Sequence, residues 1–137
     1  PAAAVMEFEA RSIHESAGLA VIQNDKFHIR FERVLHGGRQ ALRVVTCING
    51  QETNIAQADV DAQRLYLKMA ARGQGLSFYY STDGNQYHLA AEHVDTSSLS
   101  TEAAGGFVGC CIGMYCTSNG TASDNAADFD CFEYGAY

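Results

Sequence analysis

Apolar side chains along this chain recur at every second residue, and that period constrains the fold more than any other feature. In Lys26 to Val34, Phe27, Ile29 and Phe31 alternate with Lys26, His28, Arg30 and Glu32. A half-buried strand reads this way because successive side chains point to opposite faces. Met6, Phe8 and Ala10 repeat the pattern within Val5 to Arg11. So do Leu42, Val44 and Thr46 against Arg43, Val45 and Cys47 within Ala41 to Ile48. Leu65, Leu67 and Met69 follow, then Leu76, Phe78 and Tyr80 against Ser77, Tyr79 and Ser81. Gly18 to Gln23 is almost wholly apolar, which predicts a strand buried on both faces. No segment keeps the 3.6-residue spacing of a long amphipathic helix.

Turn chemistry separates these segments. His36-Gly-Gly, Asn49-Gly50, Gly73-Gln-Gly and Asp83-Gly84 each supply residues that tolerate positive φ. Asn49-Gly50 and Asp83-Gly84 read as hairpin turns. Glu52 to Gln57 returns from the first of them, and Tyr87 to Ala91 is a short strand after the second. Asp95 to Ala104 is a polar connection. Phe107 to Cys116 and Asp128 to Tyr134 form a closing pair joined by a polar loop around Asn119-Gly120. About ten short strands with turn signals between them predict an all-β sandwich or barrel. With 137 residues, no linker and no internal repeat, residues 1–137 are expected to form one domain.

The charge balance narrows the partners. Nine Lys and Arg stand against 16 Asp and Glu, a net −7. No basic stripe is present, so no nucleic-acid partner is expected. No apolar run approaches the roughly 18 residues that cross a bilayer, so no membrane partner is expected either. Pro1 to Glu7 lacks the basic and apolar regions of a signal peptide, and a start without Met is expected of an excised chain. Five cysteines leave one without an internal mate, no C-x-x-C pair occurs, and Cys110 and Cys111 point to opposite faces of one strand. Reduced thiols follow as the expectation, with a cytoplasmic, reducing compartment.

Few residues invite chemistry. Asp128 and Asp130 fall on one face of their strand, with Phe129 and Cys131 on the other, and alternate Cα atoms lie about 6.5–7 Å apart. That spacing meets the roughly 6.5–9.5 Å of an inverting glycosidase pair. Side chains from one strand point the same way, however, and do not flank a scissile bond. The pair suits a hard cation such as Ca²⁺, or else is a solvated edge. Phe107 follows Gly105-Gly106, and the residues alone favour a core position for its ring. His14, His28, His36, His88 and His93 show no metal-ligand spacing. Tyr66, Tyr79 and Tyr115 form a sugar-stacking platform, or pack between the sheets or against a further domain. Neither a G-x-S-x-G motif nor a phosphate-binding glycine loop occurs.

Several segments, in order, resemble one known family: AGLAVIQND from Ala17, LYLKMAARGQGLSFYYSTDG from Leu65, LSTEAAGGF from Leu99, and the closing Gly-Met-Tyr, Ala-Asp-Phe-Asp and Phe-Glu-Tyr. These are similar to the C-terminal module of glycoside hydrolase family 43 β-xylosidases and α-L-arabinofuranosidases. The resemblance covers nearly the whole chain. It implies a two-sheet antiparallel concanavalin A-like jelly-roll sandwich that packs on a catalytic β-propeller acting on xylo-oligosaccharides. No propeller residue is present, so no catalytic residue is carried over. The resemblance implies that Phe107 reaches the mouth of the substrate pocket, and it favours a structural calcium near Asp128 and Asp130. The family's module usually carries strands before the segment matching Val5. A sandwich short of a strand exposes an edge for self-association. A different class of function, an independent carbohydrate-binding module, is the alternative expectation.

Overall fold

A computed structural model describes residues 2–24, 26–72, 75–95, 111–118 and 128–134. Ten strands run in chain order: β1 (Ala2–Glu7), β2 (Ser16–Asn24), β3 (Phe27–His36), β4 (Arg39–Ile48), β5 (Gln51–Asp59), β6 (Arg64–Arg72), β7 (Gly75–Ser81), β8 (His88–Asp95), β9 (Cys111–Thr117) and β10 (Asp128–Tyr134). They build two five-stranded sheets, ordered β10-β1-β6-β7-β8 and β5-β4-β3-β2-β9. Every pairing is antiparallel. No helix occurs among the described residues. The all-β, two-sheet expectation holds.

The alternation read from the sequence sets which face is buried. Met6, Leu65, Leu67, Met69 and Phe78 of the first sheet meet Leu19, Val21, Ile29, Phe31, Leu42 and Val44 of the second in one core. Phe31 and Phe78 join the sheets edge to face, with centroids 5.3 Å apart and planes at 66°. Each such side chain, fully buried, contributes about 1.5–3 kcal/mol through water exclusion.

The β3–β4 and β4–β5 hairpins close as their glycines demand. Gly37 and Gly38 have φ of 59° and 78°, and Asn49 and Gly50 have 54° and 81°. These positive values at both central positions match the right-handed twist of the flanking strands.

Elsewhere the strands depart from expectation. The first strand is Ala2–Glu7 rather than Val5 to Arg11. Phe8 and Ala10 are nevertheless buried beyond its end. The amide of Gln40 replaces a strand partner there, accepting from the Ala10 N–H (3.0 Å) and donating to the Ala10 carbonyl (2.8 Å). The strand β2 is not buried on both faces throughout, because Ile22 is 42% exposed. Asp83-Gly84 does turn the β7–β8 hairpin, but in a loop longer than two residues, since β7 ends at Ser81 and β8 begins at His88. Asp83 instead organises the loop: its Oδ1 accepts from the N–H groups of Gln86 (3.0 Å) and Asn85 (2.8 Å) and from the Ser81 hydroxyl (2.9 Å). These donors hold its carboxyl at about 2.

The closing strand β10 runs along β1. Along β1–β10, Met6 faces Phe129 and Val5 faces Cys131, with a register shift between them. The backbone of Asp130 is thereby left without a paired residue on β1.

Candidate functional site

The outer face of the second sheet, away from the core, carries a charged cluster. Cross-strand pairing aligns Tyr115, Gly18, Glu32, Arg43 and Gln57 in one row across β9, β2, β3, β4 and β5. Glu32 is 1% exposed although it faces away from the core. Its Oε1 accepts from Arg30 Nε at 2.9 Å, and its Oε2 from Arg43 Nε at 2.5 Å. The Tyr115 hydroxyl donates to Oε1 as well. Tyr115 and Glu32 lie two strands apart, about 9.6 Å at the usual spacing, so the phenol must cross β2. It crosses at Gly18. A Cβ there would strike the Phe31 carbonyl oxygen and lie 2.8 Å from the Glu32 Cα.

Arg30 extends the cluster to β5, with Nη1 and Nη2 donating to the two oxygens of Glu52 at 3.1 and 3.0 Å. Burial alone lowers the Arg30 pKa, but the bonds to Glu52 and Glu32 outweigh it and raise the pKa above its usual value. The Arg30 bonds likewise lower Glu52. Burial, then the charge and hydrogen bond of Glu32, push Tyr115 well above the ordinary phenol.

An alkaline dependence follows. An unfolded tyrosine ionises near about pH 10, while folded Tyr115 keeps its proton to higher pH. Above that point the native state binds the extra proton, so its contribution, complete below about pH 10, is lost as pH rises towards the folded pKa. Urea midpoints are expected to fall across this window and to fall less steeply in Tyr115→Phe. An equal slope in both proteins would contradict the assignment.

The same face holds a grouping that sequence spacing did not suggest. Donor atoms of His28, Cys47 and Glu52 lie within 4.8 Å of one another. Arg30 already places a cation among them, since its Nη1 is 2.7 Å from His28 Nε2. A metal ion would have to displace that guanidinium from both carboxylates. Cys47 is a buried thiol and Cys116 an exposed one.

The outer face of the first sheet is aromatic. Tyr66 and Lys68 share one face of β6, and Tyr79 pairs with Lys68 on one side and Leu89 on the other. The Lys68 ammonium sits 5.6 Å from the Tyr79 ring centroid and 5.3 Å from that of Tyr87. Tyr66 lies against Gly84, where a Cβ would come within 2.9 Å of its ring. The expected platform of Tyr66, Tyr79 and Tyr115 does not assemble, because Tyr115 belongs to the other sheet and is bonded to Glu32.

Phe107 lies outside the described residues. The backbones of Asp128 and Asp130 lie on β10, but their side chains are outside the described residues. What sequence reasoning missed was the Arg30–Glu32–Arg43–Tyr115 network, since outward charges on a strand read as solvated. The available signal was Gly18 within an otherwise apolar strand, opposite a charged Arg-x-Glu.

Two packed antiparallel sheets define a concanavalin A-like sandwich. Residues 1–135 match the family described as the β-xylosidase C-terminal concanavalin A-like domain, and the chain belongs to that family. It is 34% identical over 127 residues to a xylosidase/arabinosidase of Butyrivibrio fibrisolvens, covering 93% of this chain and 24% of that protein. It is 29% identical to a non-reducing end α-L-arabinofuranosidase of Bacteroides ovatus, covering 97% of this chain and 25% of that one. The chain thus spans about a quarter of the length of these curated relatives. A crystal structure of a family 43 protein from Bacillus licheniformis superposes with a TM-score of 0.89 at 27% identity, over 99% of this chain and 27% of that one.

Proposed function

We propose that this module serves a family 43 glycosidase acting on xylo-oligosaccharides, as a β-xylosidase or α-L-arabinofuranosidase. It packs on a catalytic propeller and contributes Phe107 to one wall of the substrate pocket. The supporting observation is the family match over residues 1–135, together with relatives named xylosidase/arabinosidase and arabinofuranosidase that are about four times as long. In this role the module supplies shape and water exclusion, and the carboxylates that cleave the glycosidic bond belong to the propeller. An aromatic ring suits a sugar because the axial C–H groups of the sugar pack on its face.

The test is Phe107→Ala in a full-length enzyme carrying this module. Loss of an apolar wall is expected to lower kcat/KM on xylobiose by about ten- to two-hundred-fold, roughly 1–3 kcal/mol. The module itself should melt as before. Unchanged kinetics, or a module melting far below the parent, would rule out the pocket role.

Structural calcium at Asp128 and Asp130 is a further proposal, resting on their carboxylates. The neighbouring Glu7 carboxylate is held by Arg64 at 3.0 Å. Saturating calcium is expected to raise the melting temperature and a chelator to lower it, because a ligand of the native state alone adds stability. Coincident melts in calcium and chelator would remove the proposal.

A further inference from the structure

We propose that the outer face of the second sheet holds a saccharide-binding site, in which adjacent hydroxyls of a neutral sugar meet Arg43, Glu52 and Thr117 beside the buried Glu32–Tyr115 pair. Ser16, Glu32, Arg43, Glu52, Tyr115 and Thr117 line a pocket of about 430 Å³. That volume lies within the roughly 300–1,000 Å³ typical of small-molecule sites.

Three observations converge on a ligand. First, a carboxylate 1% exposed sits on a sheet face that is not the core. Well-packed apolar residues would serve stability there as well or better, and buried ionisable clusters concentrate at functional sites. Second, the cluster keeps open valences on its pocket side. Arg43 uses Nε on Glu32, and its two terminal nitrogens have no hydrogen-bond partner among the described residues. Buried Glu32 is the fixed point of the cluster, holding Arg30, Arg43 and Tyr115 in place. Third, the charges cancel: two guanidinium groups face two carboxylates. A phosphate or sulfate gains little from such a site. A sugar hydroxyl both donates and accepts, so a pair of adjacent hydroxyls satisfies a guanidinium edge beside a carboxylate edge.

The proposal relies on the glycosidase reading only for the choice of sugars offered first. The 137-residue chain, labelled with ¹⁵N, is titrated with xylohexaose and an arabinoxylo-oligosaccharide, then with cellohexaose and mannohexaose. Saturable shifts are expected at the amides of Gly18, Glu32, Arg43 and Tyr115 and at the Arg43 Nε–H. Arg43→Met and Thr117→Val should each weaken binding by about tenfold or more, as loss of a hydrogen bond to a charged or buried group does. Arg43→Met also strips a donor from Glu32, so Thr117→Val, on the edge strand β9, is the variant that leaves the buried pair intact. Saturation by cellohexaose or mannohexaose alone supports the site while counting against xylo-oligosaccharides as the substrate class. No saturable shift with any of the four, shifts confined to the Tyr79–Tyr87 face, or undiminished binding by both variants would overturn the proposal.

Discussion

Glu32→Ala is expected to destabilise the sandwich by about 3–5 kcal/mol, the range found when one partner of a buried ion pair is removed. Three groups lose their acceptor at once: Arg30 Nε, Arg43 Nε and the Tyr115 hydroxyl. Arg30 keeps its bonds to Glu52, and Arg43 is a third exposed, so both reach other partners or water. The Tyr115 hydroxyl, desolvated beside Glu32, loses that acceptor and keeps its hydrogen bond with Ser16. Glu32→Gln retains the shape and one acceptor oxygen, and should cost less than Glu32→Ala. Urea unfolding of the three proteins at neutral pH gives the comparison. A loss below about 1 kcal/mol in Glu32→Ala, the level of a surface pair, would show that the cluster is solvated and not buried.

Phe31→Ala is expected to cost a similar 3–5 kcal/mol, for a different reason. Phe31 is fully buried and projects from the second sheet onto Phe78 of the first. Truncation loses the transfer free energy of the ring, leaves a cavity between sheets that cannot close over it, and removes an aromatic contact worth about 0.5–1.5 kcal/mol. Phe31→Leu should recover a large part of the loss, since it refills most of the volume. If Phe31→Ala unfolds at the same urea concentration as the parent, the two sheets are not held together through this contact.

The sandwich was legible because its signals are local. Period-two alternation in β3, β4, β6 and β7 depends only on successive side chains pointing to opposite faces. Asn49-Gly50 and Gly37-Gly38 demanded their turns through their own φ preferences. Strand ends were less legible where a side chain substitutes for a strand: Gln40 secures Ala10 from 30 residues away, and Asp83 ties its loop through backbone N–H groups. The family, too, was readable from short segments in order, and the match over residues 1–135 agrees.

The charged cluster was not legible, because alternation reports which face a residue takes and not what lies above it. Alternation places Arg30 and Glu32 outward, and they are outward. Only the strand order, which sets β9 beside β2 and aligns Tyr115 with Gly18 and Glu32, brings a phenol across a glycine to bury that carboxylate. The separation of Tyr66 and Tyr79 from Tyr115 arose in the same way, because sequence carries a strand's face but not its sheet. The sequence by itself determined the all-β class, the inward faces and the family. The sheet order, the burial of Glu32 and the company kept by each tyrosine were decided by long-range pairing, which brings together residues as far apart as Glu32 and Tyr115.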